Sequence, residues 1–350
     1  MRSTLWLPCL LLLHACDQAP TPPPSADTQD NATTDAAWVV PEQALNNLLQ
    51  NEGQQKLRRL SVGATGFGDA INGLLNDTTE ERLATAQLAW TRLYQSFNES
   101  FVILMCRAAQ NPADIARVER ADSFPILPGY IDSLKEWPDS GIVNDTALPL
   151  TREGLLAQQE ATLEGEVSVG FQVLHFLLNG APDQQRSPLE LSALTELSDE
   201  NIGTLEDQPS NRRRQYLQLA SDLLIEDLIL LARDDGTPHQ VDRNCPVSPL
   251  RDTVARLIQL DGLRDNHQVS QEYMAESVRV AANKTLQSSL TPWLNNDSPL
   301  YPWLEARALG QNENINPAPA LDSKERVKKL QSLHAALTSA QQALRRSTGL

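Results

Sequence analysis

Seven apolar residues, Leu83, Ala86, Trp90, Leu93, Phe97, Phe101 and Leu104, step by three and four without a break. That spacing places all of them on one face of a helix, and a stripe this long must be buried against other helices. Thr78-Thr79-Glu80-Glu81 opens the segment as a capping box, with Thr78 accepting from the first turn and Glu81 reaching back. The last helical segment has a similar opening, Asp322-Ser323-Lys324-Glu325, followed by Val327, Leu330, Leu333, Leu337 and Leu344. Leucine occurs 55 times against 27 valines and isoleucines together, so a strong helix former dominates where sheet formers are scarce. Further helices are expected near 42–60, 66–76, 152–164, 166–179, 211–233, 249–260 and 271–290. No stretch alternates with period two for long enough to require a sheet. The expected fold is all-α, in two helical bundles covering residues 37–185 and 186–350, divided within the polar, aperiodic stretch around 181–210.

The chain begins with Arg2, an apolar run from Leu5 to Leu13, and then Leu13-His14-Ala15-Cys16. The run is too short to span a bilayer, and a small residue before Cys16 suits signal cleavage. Residues 1–15 resemble a bacterial lipoprotein signal, which would make Cys16 the lipid-carrying N-terminus; an ordinary secretory peptide cut nearby is the alternative. Residues 16–36 are rich in Pro, Thr, Asp and Ala and read as a flexible tether. The expected location is the periplasmic side of an envelope membrane, inner or outer, with the membrane contacted through the lipid. A net charge of −16 repels nucleic-acid phosphates and excludes a sequence-independent nucleic-acid binder.

Loss of residues 1–15 removes Cys9, and acylation of Cys16 leaves Cys106 and Cys245. In an oxidising compartment these two are either bonded to each other or each buried as a small apolar filler in a separate bundle. Neither belongs to a Cys-x-x-Cys pair, and His239, near Cys245, is an isolated candidate ligand.

The most distinctive stretch runs from Gly165 to Gly180. On a helix, Gln172 and His175 share a face amid apolar neighbours, so a polar pair is held in apolar surroundings. One reading of His175 is a core histidine satisfied by a single hydrogen bond; the other is a ligand. Gly170 with Phe176-Leu177-Leu178-Asn179-Gly180 is similar to the GxHxxExLLxG segment of the imelysin family of bacterial envelope proteins, filed among the M75 peptidases. Ala89-Trp90 with Tyr94 and Glu99, Phe124-Pro125-Ile126-Leu127-Pro128-Gly129-Tyr130-Ile131-Asp132, and Ser140-Gly141-Ile142-Val143-Asn144-Asp145 extend the resemblance, with Phe124 where the family has Trp.

The resemblance implies a link to iron uptake and binding of a metal or small ligand at Gly170, Gln172 and His175; the cofactor stays open, with a divalent metal, iron or zinc, as the candidate. An envelope or iron-uptake partner is implied as well. The family's His and Glu are Gln172 and His175 here. That exchange leaves one good ligand and no negative charge, so a non-enzymatic binding role is the primary expectation. A metal-dependent peptidase and a purely protein-binding scaffold are the alternatives. The chain contains no His-Glu-x-x-His, Gly-x-Ser-x-Gly or phosphate-loop motif.

Overall fold

The structure is a computed structural model that describes residues 42–109, 111–163, 165–198, 202–233, 245–265, 276–295, 297–302 and 323–348. Residues 1–36, which contain the expected signal, Cys16 and the expected tether, lie outside the described residues, as does His239. The described secondary structure is helical apart from β1 (Gly180–Ala181) and β2 (Gln184–Gln185), an antiparallel pair in which Gly180 faces Gln185. The fold is therefore all-α.

Helix α1 (Glu42–Asn76) joins two segments that the sequence pattern separates. Its buried stripe of Leu57, Leu60, Ala64, Phe67, Ile71 and Leu74 runs straight through the glycine-containing middle, so burial holds the helix continuous. Helix α2 (Glu80–Ala108) carries the stripe seen in the sequence, and Leu83, Ala86, Trp90, Leu93, Phe97, Phe101 and Leu104 are all buried. Its N-cap is Thr79, whose Oγ1 accepts from the Arg82 amide at 3.3 Å. Thr78, the expected cap, instead donates to the Leu74 carbonyl at 3.2 Å, because α2 begins one residue later than the pattern suggests. In the second half of α2, Asn98, Ser100, Val102, Ile103 and Cys106 are buried too, so the helix is enclosed around its circumference.

Helix α3 (Pro112–Ala121) has too few apolar residues to be read from periodicity, but Asn111 caps it by accepting from the Ala113 amide, and Pro112 suits its first turn. After the short α4 (Pro128–Ile131) and α5 (Arg152–Gln158) come α6 (Phe171–Asn179), α7 (Pro209–Ala232), α8 (Val247–Asp265), α9 (Glu276–Leu294) and α10 (Ser323–Thr348). Helix α1 lies against α2 and α7, while α2 also meets α3, α6, α8 and α9. Helix α8 packs on α9 and α10. Residues 38–350 form one compact unit. Within it α7, which follows the expected division at 185/186, packs on α1 and α6 from before it. No helix among the described residues is long and apolar enough to cross a membrane.

Three consecutive arginines at the start of α7 fix the connections around it. Arg212 donates to the carbonyls of Ile142, Val143, Asp145 and Leu148 at 2.6–3.1 Å. Arg213 pairs with Asp132 through Nε and NH2 at 2.6 and 2.9 Å, and Arg214 donates to the carbonyls of Leu75 and Leu191. A disulfide joins Cys106, near the end of α2, to Cys245, just before α8, and both residues are buried. It closes a loop spanning 139 positions of sequence, a constraint on the unfolded chain that stabilises by about 5 kcal/mol in the loop-entropy picture.

Candidate functional site

Helix α6 is nine residues long, and Phe171 to Phe176, Leu177 and Leu178 are all buried. So short a helix depends on its surroundings for stability. Gly170 and Gly180 bound it with φ of 100° and 73°, a backbone region that side chains rarely adopt. At Gly170 a Cβ would also run into the Arg120 and Ala121 carbonyls, so this glycine is required by the backbone itself. Trp90 Nε1 donates to the Phe171 carbonyl at 2.9 Å. Gln87 and Arg186 donate to the Leu178 and Leu177 carbonyls at 3.0 and 3.1 Å, satisfying acceptors that the end of a helix leaves open.

Gln172 and His175 both face α2, one beside Tyr94 and the other beside Trp90, whose rings stack 5.0 Å apart. They do not share a partner. Gln172 Nε2 donates to Asp122 Oδ1 at 3.0 Å and to Tyr94 Oη at 3.1 Å. His175 sets its ring edge-on to Trp90, with centroids 4.8 Å apart, and no described residue hydrogen-bonds its imidazole. Burial pushes this histidine down to about 4, so it is neutral at physiological pH.

The centre of the site is Asp122, the residue that ends α3. Besides Gln172, it accepts from Tyr94 Oη at 3.3 Å and from Arg256 NH2 through Oδ2. Arg256 comes from α8, 134 positions away, and its guanidinium carbon lies 4.5 Å from the Phe124 ring centroid and 5.8 Å from that of Phe101. Burial holds the Asp122 carboxyl above its ordinary range, and the Arg256 charge with the Gln172 and Tyr94 hydrogen bonds offsets only part of that rise. Burial and the Asp122 charge push the Tyr94 hydroxyl well above its ordinary range, so it stays a neutral donor.

Sequence reasoning singled out Gln172 and His175 but missed Asp122 and Arg256, whose separation along the chain leaves no local pattern. Tyr94 is marked in the sequence only by the family resemblance. Asp132, marked on the same ground, accepts from Arg186 at 2.8 Å as well as from Arg213, and its side chain is wholly buried. Burial opposes its charge, but the two guanidinium groups prevail and hold its carboxyl below the usual range. Asp132 anchors the β2 end of the α6 hairpin to α7.

These residues do not fit a divalent metal. Asp122 has one oxygen committed to Gln172 and the other to Tyr94 and Arg256, and Gln172 turns its amide nitrogen, a donor without a lone pair for a metal, toward the carboxylate. His175 stands one helical turn away, against Trp90. Among the described residues no group of three His, Cys, Asp or Glu side chains is placed to hold a metal ion.

A family model described as Imelysin, Peptidase_M75, matches residues 53–243. The match takes in Tyr94, Asp122, Gly170, Gln172 and His175 and stops before Cys245 and Arg256. No curated protein matches the chain.

Proposed function

The chain belongs to the imelysin family, and from that membership we propose that it is a non-catalytic, periplasm-facing lipoprotein that binds a small ligand in connection with iron uptake. The observation that carries the non-catalytic part is the commitment of Gln172 to Asp122 and Tyr94. A metallopeptidase needs a metal held by anionic or imidazole ligands and a base for its water. Here the family's His position is an amide already used as a donor, and the carboxylate beside it, Asp122, is paired with Arg256. His175 is a neutral imidazole, and among the described residues no acidic side chain pairs with it to orient or charge it as a base. The iron connection and the small ligand rest on family membership, and the lipid anchor rests on the sequence around Cys16.

A cleavage assay on unfolded protein substrates, with and without a chelator, tests the reading. The expected result is no chelator-sensitive cleavage. Cleavage that a chelator and His175→Ala both abolish overturns it. Membrane fractionation of Cys16→Ser tests the anchor separately, with the variant expected in the soluble fraction.

A further inference from the structure

The carboxylate of Asp122 is 5% exposed as a residue, and its cation does not come from the helices that build the rest of the site. It comes from α8, beyond the matched segment. Helix α8 packs on α2, and the Cys106–Cys245 disulfide ties its approach to the same helix that carries Tyr94. The Arg256 side chain is 13% exposed; one of its terminal N–H groups meets Asp122 Oδ2, its guanidinium carbon lies over the Phe124 and Phe101 rings, and its buried Nε has no hydrogen-bond partner among the described residues. Buried carboxylate and aromatic faces are together the surroundings that a planar, weakly hydrated cation favours and a hydrated metal ion does not.

We infer that Asp122, Tyr94, Gln172, Phe101 and Phe124 form a guanidinium-binding site that the protein fills with its own Arg256. The inference deepens the non-catalytic reading by naming what occupies the carboxylate at the family's characteristic helix, and it rests on that reading only in treating the site as metal-free. Removing the Arg256 side chain leaves Asp122 buried without its counter-ion beside a space shaped for a guanidinium. A free guanidinium ion should enter that space; an ammonium of equal charge lacks the planar, weakly hydrated face that lies over the Phe124 ring.

The test is chemical rescue of the full chain carrying Arg256→Ala, followed by thermal melting with guanidinium or methylguanidinium at low millimolar concentration. Sodium and tetramethylammonium salts serve as controls for ionic strength and charge. The expected result is a saturable rise in melting temperature of about 2–3 °C at ten times the half-saturating concentration. The rise should be absent in Arg256→Ala/Asp122→Asn. A folded Arg256→Ala that shows no rise, or an equal rise in the double variant or with tetramethylammonium, overturns the inference.

If Arg256→Ala does not fold, a double-mutant cycle of Arg256→Lys and Asp122→Asn replaces it. The coupling expected is about tenfold in the folding equilibrium constant, and a coupling under about twofold overturns the inference. Chelator-sensitive peptide cleavage would overturn the non-catalytic reading and leave the rescue result standing, so the two failures are distinguishable.

Discussion

Replacing His175 with Phe keeps an aromatic ring against Trp90 and removes a group that titrates differently in the folded and unfolded chain. In the folded protein burial holds His175 near 4, whereas an exposed histidine titrates at 6.5. The unfolded chain therefore binds the proton more tightly, and the stability associated with a neutral His175 is complete above pH 6.5. It is lost as the pH falls from 6.5 to about 4, at about 1.4 kcal/mol per pH unit, and the total over that window is about 3 kcal/mol. Urea unfolding followed by circular dichroism at pH 4, 5, 6 and 7 measures it for the natural protein and for His175→Phe. Carboxylates titrate in both proteins and cancel in the difference. The natural protein should lose about 3 kcal/mol more than the variant between pH 7 and pH 4, with the gap opening below pH 6.5. Parallel pH profiles would show that His175 is not held neutral by burial, and the description of its surroundings would be wrong.

Asp132→Asn should destabilise by about 3–5 kcal/mol in urea unfolding, because Arg186 and Arg213 are left buried with their shared carboxylate gone; a loss under about 1 kcal/mol would mean the cluster is hydrated. Gly170→Ala should cost at least about 2 kcal/mol, since φ of 100° and the neighbouring Arg120 and Ala121 carbonyls both oppose a Cβ, and a neutral result would refute that backbone geometry. Cys106→Ala/Cys245→Ala should lower unfolding free energy by about 5 kcal/mol in the same assay, and equal stability of the natural protein with and without reductant would refute a structural disulfide.

The sequence by itself determined which segments are helical wherever one apolar face repeats, because that pattern depends only on residues three and four apart. The stripes of α2 and α10 were legible for this reason; Gln172 and His175 were singled out by their shared face and by the family resemblance. Tertiary structure decided the rest. It made α1 one helix through its glycines, since a continuous buried face outweighs local propensity. It joined Cys106 to Cys245 where residue types alone allowed either a bond or two separate fillers. It sent Gln172 to Asp122 and His175 to Trp90, although spacing alone makes them a pair on one face. Above all it brought Arg256 across 134 positions to Asp122, and no local rule of sequence encodes such a contact. A buried charge takes its partner from whichever helix the packing of the whole chain delivers, so the charge balance of this site is a property of the fold.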